Sequence, residues 1–131
     1  RSEASRISTS ASSSLFLSDD QLEKLLASGR WHPSDMVWPD RVCQTLVSNY
    51  GKSVTRGRAV TQLVPTANRN PRRFTPRECA SIMGFPRATF QLLDDSEDGG
   101  SADDKHTMTW YRAHYRMFGN AVCPPLIAAL A

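Results

Sequence analysis

The segment RRFTPRECASIMGFP, residues 72–86, constrains the fold of this 131-residue chain most strongly, because it specifies both ends of a helix. Thr75 is a good N-cap, and Pro76 suits the first helical position, where its missing N–H costs no hydrogen bond. Glu78 completes a reciprocal capping box with Thr75. Gly84 stops the helix before a phenylalanine and a proline. The sequence therefore predicts a short helix with fixed ends. Its buried stripe is expected to comprise Cys79, Ile82 and Met83.

Three further helices are predicted from capping signals and apolar spacing. SDDQLEKLLASG, residues 18–29, has a capping box at its start, leucines on one face and a glycine stop. TMTWYRAHYRM, residues 107–117, places large side chains at helical spacing, and Gly119 is expected to end that helix. The paired prolines of PPLIAALA, residues 124–131, open the last helix.

Two strands are predicted between the first two helices. VCQTLVS, residues 42–48, and RAVTQLV, residues 58–64, are alternating and rich in β-branched residues, and a glycine-containing loop separates them. Before them, residues 30–40 contain two prolines and two tryptophans, which indicates an irregular connection held by aromatic burial. The chain is therefore of mixed α and β type.

The charge of the chain is unevenly distributed. Residues 41–77 contain eight basic side chains and no acidic one, whereas residues 94–104 contain six acidic side chains and no basic one. The basic block suits a polyanion such as nucleic acid, although a solvated arginine-rich face gives the same pattern. The acidic run, taken as residues 94–105, is expected to form a surface insertion.

Other classes of protein are disfavoured by composition. The serine-rich residues 1–14 are predicted to be a disordered linker, since they contain few large apolar side chains. No signal peptide or membrane span is evident. The three cysteines are far apart and the three histidines show no ligand spacing, so neither a disulfide framework nor a metal site is expected. The start at Arg1 and the uncapped apolar end favour a piece of a longer protein.

Two motifs in this chain resemble the last two motifs of the cytosine-5 methyltransferases. The first match runs from Arg73 through Ala80 and then covers Gly84, Phe85 and Pro86. The family pattern for this motif is Arg, any residue, Leu or Phe, and then Thr-Pro-Arg-Glu-Cys-Ala. The second match comprises Tyr115, Phe118, Gly119, Asn120, Ala121, Val122, Pro124 and Pro125. Upstream, QTLVSNYGK resembles the end of the family's target-recognition region. The resemblance covers about residues 41–131.

The resemblance implies a fold and a cofactor. The fold class would be α/β: this chain would be the C-terminal fragment of a Rossmann-like methyltransferase with a small mixed α/β target-recognition domain. Residues 15–71 would form the target-recognition region, and residues 72–131 would return to the catalytic domain. In the family, the loop of the second motif lines the pocket for S-adenosyl-L-methionine. The cofactor-binding candidates are Asn120, Ala121 and Val122; a plain loop after a helix is the alternative interpretation.

The resemblance also implies contacts to nucleic acid and an orienting role for the first motif. The nucleic-acid-binding candidates are Thr45, Ser48, Tyr50, Gly51, Lys52, Arg56 and Arg58. The alternative interpretation is that these residues form an ordinary polar hairpin loop. Hydroxyls, a glycine and cations are typical of contacts to a phosphate backbone. The candidates for orienting the recognition domain are Arg73, Thr75, Arg77 and Glu78.

No catalytic residue is predicted in this chain. The family reaction needs a cysteine thiolate in a Pro-Cys motif, and that motif is absent, as is the glycine-rich cofactor loop. The interpretation is a DNA (cytosine-5)-methyltransferase whose upstream part supplies the nucleophile, so this piece alone would be inactive. A tRNA cytosine-5 methyltransferase, and a non-catalytic nucleic-acid-binding module or small half of a split enzyme, remain as alternatives. The expected location is the nucleus in a eukaryote and otherwise the cytoplasm.

Overall fold

The computed structural model describes residues 13–37, 40, 42–52, 62–89 and 104–131. The described residues form four α-helices and two short 3-10 turns. The helices are α1 (Asp19–Ala27), α2 (Pro76–Ile82), α3 (Asp104–Asn120) and α4 (Pro124–Leu130), and the turns are Ser13–Leu15 and Pro33–Asp35. No helix among these residues is both long enough and apolar enough to cross a membrane.

The capping chemistry predicted for α1 and α2 is confirmed. The hydroxyl of Ser18 accepts a hydrogen bond from the backbone of Gln21, whose side chain accepts one from the backbone of Ser18. At α2, Glu78 N donates to the Thr75 hydroxyl at 3.1 Å, and Thr75 N donates to Glu78 at 2.8 Å. Both helices therefore begin where the sequence sets them. The buried face of α2 differs from the prediction, because Ala80 is buried with Cys79 whereas Ile82 is 40% exposed.

The strand predicted over residues 42–48 is wrong. Among the described residues, the only β pairing is two isolated antiparallel bridges, which join Arg72 to Phe16 and to Val64. The backbone of residues 44–45 instead bonds to the side chain of Gln62, at 2.9 Å from Gln44 N and 3.4 Å from the Thr45 carbonyl. A side-chain amide thus takes the place of a neighbouring strand. Of the second predicted strand, residues 58–61 lie outside the described part.

The helix predicted over residues 107–117 is longer than expected. It begins at Asp104, inside the predicted acidic insertion, and continues through Gly119 to Asn120. Gly119 therefore does not end the helix, and it is absent from the glycines with positive φ. This glycine serves packing instead of a turn.

The core of the described residues consists of two apolar clusters. The larger joins the first 3-10 turn, residues 46–50, α2 and α3, and the smaller lies around α1. The larger cluster comprises Leu15, Leu46, Tyr50, Phe74, Cys79, Ala80, Tyr111, Tyr115 and Phe118. The smaller comprises Leu17, Leu25, Trp31 and Leu63.

Several predictions concern residues outside the described part. The predicted linker up to residue 12, the predicted insertion over residues 94–103, and the nucleic-acid candidates Arg56 and Arg58 all lie there. They stay predictions.

Candidate functional site

The hydroxyl of Tyr50 links three separate segments of the chain. Its ring is only 1% exposed, and the hydroxyl donates to the carbonyl oxygen of Gln62 at 2.6 Å. The same oxygen accepts the backbone N–H of Phe74 at 2.9 Å. Burial raises the pKa of this phenol, so it remains a neutral donor. Tyr50 therefore ties the candidate nucleic-acid loop to the segment that leads into α2.

A second tyrosine holds the same segment from the side of α3. The hydroxyl of Tyr115 donates to the carbonyl oxygen of Phe74, so that both polar groups of the Phe74 backbone are bonded to tyrosines. The rings of Tyr115 and Tyr50 meet edge to face, with their centroids 4.9 Å apart. Such pairs add about 0.5–1.5 kcal/mol beyond the area they bury.

The candidate loop rests directly on α3 at two glycines. A Cβ at Gly119 would lie 2.1 Å from the backbone nitrogen of Ser48, and a Cβ at Gly51 would lie 2.7 Å from the ring of Tyr115. Gly51 also has a φ of 89°, in the left-handed region that favours glycine. No other residue type permits both approaches without displacement. The two glycines therefore fix the position of residues 47–52.

The nucleic-acid candidates are thus divided between surface and interior. Thr45 and Lys52 are exposed, and Ser48 is half-buried. Tyr50 and Gly51 are buried and hold the loop in place. Thr45, Ser48 and Lys52 are left as the described candidates that can face a nucleic acid.

The first motif contains a bidentate ion pair that the sequence analysis did not predict. Arg72 donates to the two carboxylate oxygens of Glu78 at 2.8 and 2.7 Å, and it also donates to the carbonyl of Arg73. Burial acts to raise the pKa of Glu78, but the hydrogen bonds from Arg72 and Thr75 and the charge of Arg72 outweigh it, so the pKa is lowered. The ion pair of this motif therefore joins Arg72 to Glu78.

Arg72 was recognisable from the motif spacing. The family pattern has an arginine two residues before the Leu or Phe, and Phe74 occupies that apolar position here, which assigns the patterned arginine to Arg72. Of the two arginines predicted to orient the domain, Arg73 is buried and Arg77 is exposed and engaged with neighbouring groups. Thr75 and Glu78 form the capping box described above.

The two sequence motifs meet at the end of α2. The thiol of Cys123 donates to the carbonyl oxygen of Met83 at 3.2 Å, and the rings of Phe85 and Phe118 meet edge to face at 5.5 Å. A Cβ at Gly84 would lie 2.6 Å from the side chain of Pro125. The loop that carries the cofactor candidates is therefore attached to the helix of the first motif.

The cofactor candidates lie together on an open edge. Asn120 is the last residue of α3, Ala121 N donates to the carbonyl of Phe118 at 3.1 Å, and Val122 is 65% exposed. Asn120 is exposed and its amide supplies both donors and an acceptor. Ala121 is half-buried and adds only a small side chain between Asn120 and Val122. A polar amide beside an apolar side chain suits one wall of a site for a polar cofactor with an apolar part.

Neither Cys43 nor Cys79 has the environment of a nucleophile. Burial raises the pKa of both thiols, and the Cys43 thiol donates to Gln62 at 2.8 Å. Reactive cysteines have lowered pKa values near cations or helix N-termini. Cys123 lies at a helix N-terminus, as the N-cap residue of α4, and its thiol donates to the carbonyl oxygen of Met83. Within the described ranges, no group of three or more His, Cys, Asp or Glu side chains is arranged to hold a metal ion.

Comparison with known proteins decides the family. Residues 10–131 match the C-5 cytosine-specific DNA methylase family. The chain belongs to that family. Its members are methyltransferases that act on cytosine carbon 5 in DNA and use S-adenosyl-L-methionine as the methyl donor. Family membership implies a Rossmann-like methyltransferase fold.

Three bacterial relatives illustrate the similarity. The chain is 36% identical over 70 residues to the Type II methyltransferase M.NlaX of Neisseria lactamica, which covers 53% of this chain and 17% of the relative. It is 38% identical over 69 residues to the Type II methyltransferase M.DsaV of Dactylococcopsis salina, covering 53% and 15%. It is 43% identical over 61 residues to the DNA-cytosine methyltransferase of Escherichia coli K12, covering 47% and 10%.

The aligned part thus amounts to between 10% and 17% of the length of these relatives. No solved structure matches the chain significantly.

The sequence analysis did not identify the contacts made by Arg72 and Gln62, or the packing role of Gly119. Motif spacing identifies the first, whereas the other two depend on contacts distant in sequence.

Proposed function

We propose that this chain is the C-terminal part of a DNA (cytosine-5)-methyltransferase, and that it orients target recognition and completes the cofactor side of the catalytic domain. The observation that carries the proposal is the family match over residues 10–131. The bacterial relatives include a DNA-cytosine methyltransferase, which favours DNA over tRNA and the cytoplasm over the nucleus.

The proposed division of labour follows from the geometry of the two motifs. Because the end of α2 contacts residues 118–125, one rigid unit carries both the orienting ion pair and the loop of Asn120. The proposed recognition loop, residues 45–52, is attached to the same unit through Tyr50 and Gly119. Movement of one element relative to another would break these contacts. The proposed recognition loop and the loop of Asn120 are therefore held in a fixed relative position.

S-adenosyl-L-methionine would supply an electrophilic methyl group when bound. Asn120 would hold its polar part through the side-chain amide, and Val122 would cover an apolar part. The nucleophile would come from polypeptide outside this chain, because the Pro-Cys motif of the family is absent here. The chain alone is therefore expected to be inactive.

An apolar surface on α4 supports association with further polypeptide. Leu126, Ile127 and Leu130 are exposed by 58%, 47% and 77%, and Val122 precedes them on the adjoining loop. Contiguous exposed apolar side chains of this kind mark an interaction surface. In the proposed enzyme, the remainder of the catalytic domain covers this face.

The experiment joins the chain to the polypeptide encoded upstream, in cis or in trans, and measures transfer of labelled methyl to duplex DNA and to tRNA. Asn120→Ala is expected to raise the KM for S-adenosyl-L-methionine about five- to tenfold, because one or two hydrogen bonds to the cofactor would be lost. Asn68→Ala, a change of the same type at an exposed position, serves as control. Transfer to tRNA alone, or none from a folded assembly, would contradict the proposal.

A further inference from the structure

Arg73 is a buried cation without a counter-ion among the described side chains. The residue is 4% exposed, and its Nε atom is buried with no hydrogen-bond partner. No carboxylate of the described residues lies within ion-pair distance of its guanidinium. Burial lowers the pKa of Arg73, whereas the pairing with Glu78 raises that of Arg72. The two consecutive arginines thus differ: the charge of Arg72 is stabilised by a carboxylate, whereas the charge of Arg73 is destabilised by burial.

The neighbouring groups that could compensate Arg73 are already occupied. Both oxygens of Glu78 accept from Arg72, and one of them also accepts from Thr75. The hydroxyl protons of Tyr50 and Tyr115 are donated to backbone carbonyls.

The charges around Arg73 do not compensate its burial. Tyr115 and Tyr50 act to raise the pKa of Arg73 and Arg112, exposed on α3, acts to lower it, but burial is the largest effect and the pKa is lowered. A buried charge that lacks a partner is strongly unfavourable, so a protein rarely retains one without an anion to meet it.

We propose that Arg73 is a buried receptor for a carboxylate side chain of the methyltransferase polypeptide outside this chain. The inference rests on the proposed function, since it names the contact by which the two parts of the enzyme are set in register. Arg73 is a positioning residue in this scheme. The planar guanidinium can take a carboxylate in a two-point contact, as Arg72 does with Glu78.

The depth of Arg73 selects a carboxylate over a nucleic-acid phosphate. Because Arg73 is only 4% exposed, a group that reaches its guanidinium would have to be carried on a slender side chain. Phosphates lie on a bulky, continuous backbone and are normally met by side chains that extend into solvent. Lys52 and Thr45 are of that exposed kind.

The first test uses the chain alone. Arg73→Met removes an uncompensated buried charge and retains much of the apolar stem, so the melting temperature is expected to rise by about 4 °C or more. Arg72→Met, the matched control, breaks a formed pair, and the melting temperature is expected to fall. An unchanged or lowered melting temperature for Arg73→Met would show that the charge is already compensated, and would overturn the proposal.

The second test measures binding to the upstream polypeptide. Arg73→Met is expected to weaken binding about 30-fold or more. Arg73→Lys keeps the charge but loses the planar two-point donor geometry of the guanidinium, and it is expected to weaken binding by roughly tenfold. Equal binding of wild type and Arg73→Met, or no binding by the wild type, would overturn the proposal. A different result would contradict the proposed function: an assembly that binds through Arg73 but transfers no methyl group to DNA.

The competing occupant is tested with inorganic phosphate and with duplex DNA. Neither is expected to raise the melting temperature of the wild-type chain more than that of Arg73→Met. A rise that depends on Arg73 would assign the receptor to a phosphate and overturn the carboxylate proposal.

Discussion

Replacing Gly119 by alanine tests whether close packing of α3 against the recognition loop holds the described core together. The added Cβ would lie 2.1 Å from Ser48 N, 2.2 Å from Val47 C and 2.5 Å from Ser48 Cα. All three are backbone atoms, so no side-chain rotation relieves the overlap. Ordinary contacts begin near 3.5 Å, and the helix and the loop must therefore separate by about 1.4 Å.

Two opposing effects set the magnitude. Overpacking in a tight interior costs typically 1–3 kcal/mol, and the upper part of that range applies because the backbone must move on the loop side. Alanine gains about 1 kcal/mol over glycine inside a helix. We expect a net loss of about 2 kcal/mol, which lowers the melting temperature by roughly 6–10 °C in a chain of this size.

Urea denaturation followed by tryptophan fluorescence measures the effect, because Trp31 is buried and Trp110 lies on α3. Gly29→Ala is the control: its φ of 64° is in the left-handed region, but nothing lies within 4 Å of the added Cβ. That change should cost only about 1 kcal/mol of backbone strain. If Gly119→Ala is as stable as wild type or more stable, helix propensity outweighs packing and the reasoning is refuted.

Three other changes test separate parts of the structure. Glu78→Gln should cost about 1–3 kcal/mol of unfolding free energy in thermal melts. Because the folded-state pKa of Glu78 is lowered, the stabilisation from its charge is present above pH 4.5 and is lost as the pH falls through the folded pKa, so the variant should show a flatter acid profile. Gln62→Leu should accelerate hydrogen exchange at Gln44 N by tenfold or more, with the amide at Cys79 little changed. Lys52→Ala should weaken binding of duplex DNA and reduce the slope against log salt by about one, whereas Asn68→Ala should change neither.

Local chemistry accounts for the parts of the fold that the sequence predicted well. The capping boxes of α1 and α2 involve residues three apart, and both are present as expected. The prolines that open α4 act on their own backbone. In each case the interaction that fixes the element is contained within the element, so a reading of neighbouring residues suffices.

Long-range contacts explain what the sequence did not predict. The β-branched pattern of residues 42–48 favours a strand, but the amide of Gln62 binds that backbone instead. Gly119 followed by Asn120 is typical of a helix end, yet the helix continues through Gly119 because the loop of Ser48 needs the space of a missing side chain. Arg72 and Arg73 are adjacent residues of the same type, and the motif spacing together with the position of Glu78 distinguishes them.

The same contacts change how the proposed recognition loop is understood. Tyr50 lies among residues that match a nucleic-acid-contacting region, but its hydroxyl joins Gln62 to Phe74 in the interior. Phe74 directly precedes the N-cap of α2, and α2 is attached to the proposed cofactor loop through Met83 and Cys123. The buried tyrosine thus connects the exposed loop to both sequence motifs. Loss of DNA binding on substitution of Tyr50 would accordingly reflect displacement of the loop, since in the proposed enzyme the groups that touch DNA would be its exposed neighbours.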